Sequence, residues 1–215
     1  MRTLTREIRD ALTPHQVIDV LRKGNERFIN NLKSNRNLLQ QVNETSEGQH
    51  PMAIVLSCID SRTSAELIFD QGLGDIFSVR IAGNILNEDI LGSMEFACKV
   101  AGAKAIVVLG HSKCGAVKGA CDGVRLGNLT ALLQKIEGAI ALETETIGDR
   151  SAANDTFVER VAELNVILVK SQIMQRSALL AQMVRNSEIA IVGGMYDVES
   201  GAVDFYDARM LIGKS

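Results

Sequence analysis

AIVLSCIDSR (53–62) and AIVVLGHSKCG (105–115) decide the reading of this chain. Each is a short, nearly continuous apolar run, rich in β-branched residues, that ends abruptly in polar ones. Runs of that kind suit strands buried on both faces, as in a parallel sheet. DIFSVRI (75–81) and IAIVGGMYDV (189–198) share the texture. Between the four runs, helical spacing is predicted near 64–70, 87–102, 113–121 and 128–142. ETETIGDRSAAND (143–155) reads as a loop and is followed by one long helix over 156–186. The tail GAVDFYDARML (201–211) is expected to return as an edge strand. Strands alternating with helices imply an α/β fold, a mainly parallel central sheet flanked by helices, whose ligands bind beyond the carboxyl ends of the strands.

Outward from this core, residues 1–50 are polar, with helical spacing in VIDVLRKGNERFINNL (17–32) and a cap signal in Thr13-Pro14. They read as an N-terminal helical arm on a single domain spanning 1–215, with the α/β core at 51–215. A chain of 215 residues buries enough surface to need no disulfide staples. Its net charge of −3 gives no electrostatic reason to expect nucleic acid or an anionic membrane as partner. Aromatic residues are 4% of the chain and Trp is absent, which argues against base-stacking platforms. No signal-like N-terminus and no apolar run long enough to span a bilayer is found, so the expected compartment is the cytoplasm. There thiols stay reduced, and the four cysteines read as metal ligands, nucleophiles or core residues before disulfides.

The chemistry gathers where strands end. Cys58, Asp60 and Arg62 are spaced to share one side of an extended segment. His111 and Cys114 are three apart across a strand-to-helix turn, a spacing that lets both reach one ion. Two thiolates and an imidazole make a three-ligand zinc site, with the fourth position left to water or to Asp60. Cys121 lies seven residues beyond Cys114, about 10 Å along a helix, too far to share that ion. Cys98 sits in a helical stretch where a free thiol is usually a small buried hydrophobe. No glycine-rich phosphate-binding pattern follows any strand.

C-I-D-S-R at 58–62 paired with H-S-K-C-G at 111–115 resembles the β-class carbonic anhydrases. R-I-A-G-N at 80–84 and the segment Gly193–Val198 are similar to further stretches of that family. The resemblance implies one Zn2+ per chain on Cys58, His111 and Cys114, and reversible hydration of carbon dioxide to bicarbonate and a proton. It implies that Asp60 and Arg62 act as a pair, with Asp60 able to close onto the metal when the pair breaks. By the same resemblance Gln49, Phe77, Ala82 and Phe96 match substrate-pocket positions; Gly115 is expected to open a helix, which places its N–H to meet an anion such as bicarbonate. Arg80 and Tyr196 match a non-catalytic bicarbonate site, but Val55 stands where that site has Trp, so the site is expected to be absent or weakened. A homodimer or homotetramer is implied, with active sites at the subunit interface. Two rivals keep the same zinc ligands: a hydrolase of carbonyl sulfide or carbon disulfide, and a non-catalytic zinc protein with Asp60 locked on the metal.

Overall fold

The computed structural model describes residues 3–206. Three helices precede the sheet: α1 (Arg6–Ala11), α2 (Pro14–Ile29) and α3 (Leu38–Glu44). Thr13 caps α2 by accepting from the Gln16 N–H while the Gln16 side chain accepts from the Thr13 N–H, so the cap signal sits where the sequence places it. The sheet comprises β1 (Ala53–Ser57), β2 (Ile76–Arg80), β3 (Ala105–His111), β4 (Ala190–Tyr196) and β5 (Val203–Tyr206), in the order β2-β1-β3-β4-β5. The first four are parallel and β5 runs antiparallel at the edge. The predicted tail strand is therefore present over 203–206, and 207–211 lie outside the described residues.

Helix α4 (Ala65–Ile68) follows β1, and α5 (Glu88–Glu95) runs into a π-helical turn over Phe96–Val100. Helices α6 (Gly115–Cys121), α7 (Gly127–Leu133) and α8 (Glu137–Leu142) follow β3, and α9 (Asp155–Arg176) and α10 (Ala178–Arg185) lead into β4. The long helix expected over 156–186 is thus two. Ser177 leaves helical geometry (φ −117°, ψ 99°), and its hydroxyl accepts from the Leu180 N–H to cap α10.

Alternation along the strands sorts the core. Ile54, Leu56, Ile106 and Val108 face one layer with Met94, Val117, Phe157 and Val166. Ala53, Val55, Ala105 and Val107 face the other with Val17, Leu21 and Phe69. A buried carboxylate, Asp70, fastens the arm to the core. It is ion-paired with Arg27 at 2.5 Å and with Arg36, and it accepts from the Ser34 N–H. The strand order changes direction between β1 and β3, which places the crevice of an open α/β sheet at their carboxyl ends.

Candidate metal centre

Cys58 stands directly after β1, on the same face as Ile54 and Leu56. His111 closes β3, and Cys114 is the residue before α6. Lys113 lies between them with φ 55°, a left-handed kink that turns the chain back on itself. All three side chains are buried, and their donor atoms lie within 4.8 Å of one another. His111 Nδ1 is 2.9 Å from the Ser112 carbonyl oxygen, which can only accept. The proton is therefore on Nδ1, and Nε2 turns its lone pair toward the sulfurs. That Nε2 is buried with no hydrogen-bond partner. An orphaned imidazole nitrogen beside two sulfurs fits a tetrahedral, thiophilic cation such as zinc.

The two thiols do not titrate alike. The hydrogen bond from Cys114 lowers the Cys58 pKa against the cost of burial, aided by the Gly83 N–H at 3.3 Å from Sγ. The Cys58 sulfur and burial push Cys114 up. One thiolate thus stands ready, and a cation replacing the Cys114 proton would stabilise the second. The other two cysteines lie apart from this cluster. Cys98 is buried in the core with its thiol pushed up to about 12, and half-buried Cys121 is pushed up to about 11, both chiefly by desolvation.

Asp60 and Arg62 meet, but not by sharing the side of an extended segment. The chain leaves the sheet at Cys58 and turns, with the Thr63 N–H donating to the Asp60 carbonyl at 3.0 Å. The Arg62 backbone N–H donates to Asp60 Oδ1 at 3.0 Å, an Asx-turn. Arg62 Nε then donates to Oδ1 at 2.8 Å and an Nη to Oδ2 at 2.7 Å, a bidentate pair. The Arg62 hydrogen bonds hold the Asp60 carboxyl well below the usual carboxylate range. The Arg62 side chain is 47% exposed, so solvent competes for this pair.

Three residues to which the sequence reading assigns no part in holding the cluster brace it: Gly83, Asn165 and Arg80. Gly83 (φ 68°) packs so closely that a Cβ would stand 2.7 Å from Ile136 Cδ1, and its N–H is the donor to Cys58. Its carbonyl accepts from Asn165 Nδ2 at 2.9 Å, so α9 holds the loop that holds the sulfur. No sequence signal singles out Asn165, because α9 carries polar residues on several sides and only its packing shows that this one is buried. Arg80 donates to the carbonyls of Cys58 (3.0 Å) and Asp60 (2.6 Å), clamping the turn.

The pocket candidates divide. Ala82 precedes Gly83, and Gly115 follows Cys114 with nothing within 4 Å of where its Cβ would be. Gln49, Phe77 and Phe96 are not gathered there by a single chain. Gln49 is exposed beside Arg6, Arg9 and Val100, before the amino end of β1. Phe77 pairs with Ile54 near that same end, its ring 6.4 Å from that of Phe96, which is 55% exposed.

The carbonic anhydrase family model matches residues 53–203. "Carbonic anhydrase 2" of Mycobacterium tuberculosis is 34% identical over 189 residues, covering 84% of this chain and 87% of that protein. The carbonic anhydrase of Mycolicibacterium smegmatis is also 34% identical, with 86% and 89% covered. Among solved structures, a β-carbonic anhydrase of Aspergillus fumigatus superposes with a TM-score of 0.70 at 28% identity, covering 79% of this chain and 82% of that one. One of two tetrameric β-carbonic anhydrases of Sordaria macrospora gives 0.68 at 25%, covering 76% and 84%.

Proposed function

The chain belongs to the β-carbonic anhydrase family and is a carbonate dehydratase, and from that premise we propose that it hydrates carbon dioxide reversibly at a zinc ion held by Cys58, His111 and Cys114. The observation that carries this reading is the trio of buried donors beside a bidentate Asp60–Arg62 pair, at the switch point of the sheet. Zinc held there supplies Lewis acidity that makes water nucleophilic near neutral pH.

The chain's own residues do the rest. Asp60 is ionised throughout the working range and fixed by three hydrogen bonds from Arg62. Oδ2 accepts only one of them, which leaves it a lone pair to accept a hydrogen bond from water at the site and so to orient that water. Arg62 acts as the catch: while it grips both carboxylate oxygens, Asp60 is kept from the cluster. Loss of that grip frees Asp60 to become a fourth ligand. Ala82 and Gly115 border the space the small apolar substrate would enter. Arg80 acts here as a structural clamp, and Val55 is fully buried in the core, which supports the absence of a bicarbonate subsite at these residues.

Gln49, Phe77 and Phe96 enter the proposal through assembly. Their distance from the cluster within one chain, and the exposure of Gln49 and Phe96, fit a homodimer or larger even assembly in which a second copy lends them to the site. No described helix is long and apolar enough to cross a membrane, and four free cysteines fit a reducing cytoplasm. Stopped-flow assays of the zinc-loaded protein with carbon dioxide and with carbonyl sulfide, run in parallel, test the reading. Hydration of carbon dioxide with little turnover of the sulfide is expected. The reverse preference would make it a sulfur-substrate hydrolase.

A further inference from the structure

At the other end of the sheet lies a cleft that the hydration chemistry does not use. It has a volume of about 610 Å³, within the range of small-molecule sites, and opens between the start of α2, the second half of α9, the end of α10 and the start of β4. Pro14, Met174, Val184, Ile189 and Ile191 give it mainly apolar walls. Into this surface α9 places Lys170, only 6% exposed. No hydrogen bond or ion pair engages its ammonium among the described residues. That ammonium is not among the fully enclosed polar atoms, so the buried part of the side chain is its aliphatic stem and the charge reaches the cleft. Burial alone lowers its pKa to about 8, since nothing nearby compensates.

We propose that this cleft is a binding site for a medium-chain aliphatic carboxylate, whose head group pairs with Lys170 and whose tail lies along Met174, Val184, Ile189 and Ile191. Charge complementarity selects the head group. Lys170 is the one Lys or Arg among the residues lining the cleft, so it matches a monoanion and leaves part of a dianionic phosphate unpaired. The apolar walls select the tail. The site is separate from the metal centre. Ile191 pairs with Ile106, five residues before His111 on β3, which is roughly 17 Å along the strand. The proposal does not rest on the assigned reaction.

Calorimetric titration of the full-length, zinc-loaded protein with decanoate tests it. One decanoate per chain is expected to bind, with decanol and decylammonium at least tenfold weaker. Lys170→Met should weaken decanoate at least tenfold. Val184→Phe, which narrows the cleft from a half-buried wall and leaves the amine in place, should weaken it as well. Three results would each overturn the proposal: no decanoate binding by the wild type, undiminished binding by both variants, or displacement of decanoate by acetate, which would place it on the zinc instead.

Discussion

The two ends of the parallel sheet solve opposite problems with the same layer of strands. At the carboxyl ends of β1 and β3, the groups around the metal donors are braced by one another. Cys58 Sγ is held by Gly83, Gly83 by Asn165, the turn by Arg80, and Asp60 by Arg62. At the amino end near β4, one largely buried lysine has no partner for its ammonium among the described residues. The braced end has its charges fixed in advance of a reaction, which is what electrostatic preorganisation requires. The unbraced end lacks a counter-charge among the described residues, and the proposed carboxylate would supply one. Polarity alone does not mark a functional site; the difference lies in which atom is left unsatisfied. At the metal end the unsatisfied atoms include His111 Nε2, a lone pair that suits a cation, and at the other end the unpaired group is the Lys170 ammonium, which suits an anion.

Removing a donor from the braced end should break the comparison most severely. Cys114→Ser is expected to lose zinc by metal analysis. It should also cut hydration by more than the 10–100-fold typical of losing an outer-sphere partner. Arg62→Ala, which leaves all three donors but releases Asp60, should retain zinc and lose about 10–100-fold in rate, with Arg62→Lys between the two. Rates equal to wild type in Arg62→Ala would dissolve the proposed catch.

The unbraced end should respond in stability and not in rate. An unfolded lysine titrates near 10.5 and Lys170 in the fold at about 8. Between these values the unfolded chain holds more protons, so stability should rise as pH rises from about 8 to 10.5 and stay at its lower level below 8. Lys170→Met should flatten that rise and stabilise the protein at pH 7 by about 1–3 kcal/mol in urea denaturation, with hydration unchanged. The smallest effect is expected where a brace acts at one remove. Asn165→Leu removes one hydrogen bond to Gly83 and should cost about 1 kcal/mol of stability. A severalfold loss of hydration should accompany it, since Cys58 loses the support of its donor.

The contrast also explains what the sequence could and could not reveal. The predicted runs at 53–58, 75–81, 105–111 and 189–198 meet strands 53–57, 76–80, 105–111 and 190–196, because strands buried on both faces must be continuously apolar. Cys58, His111 and Cys114 were legible because Cys58 and His111 sit where strands end and Cys114 opens the helix that follows β3, where the topology converges. Asp60 and Arg62 were paired on the premise of an extended segment, whereas a turn brings them together; residue spacing does not show where a strand stops hydrogen bonding. The break at Ser177 was hidden because a hydroxyl that caps one helix looks, in sequence, like any polar position of a longer one. Asn165 and Lys170 escaped for a related reason. Both lie within the 22 residues of α9, a helix with polar residues on several sides, and only its packing shows which of them are buried.

The most direct test of the central claim is stopped-flow hydration of carbon dioxide by the protein loaded with one zinc per chain, scanned from neutral to mildly alkaline pH. Activity that rises with pH, and that falls sharply in Arg62→Ala without loss of metal, is the predicted result. Full zinc occupancy with no hydration anywhere in the scan would contradict it.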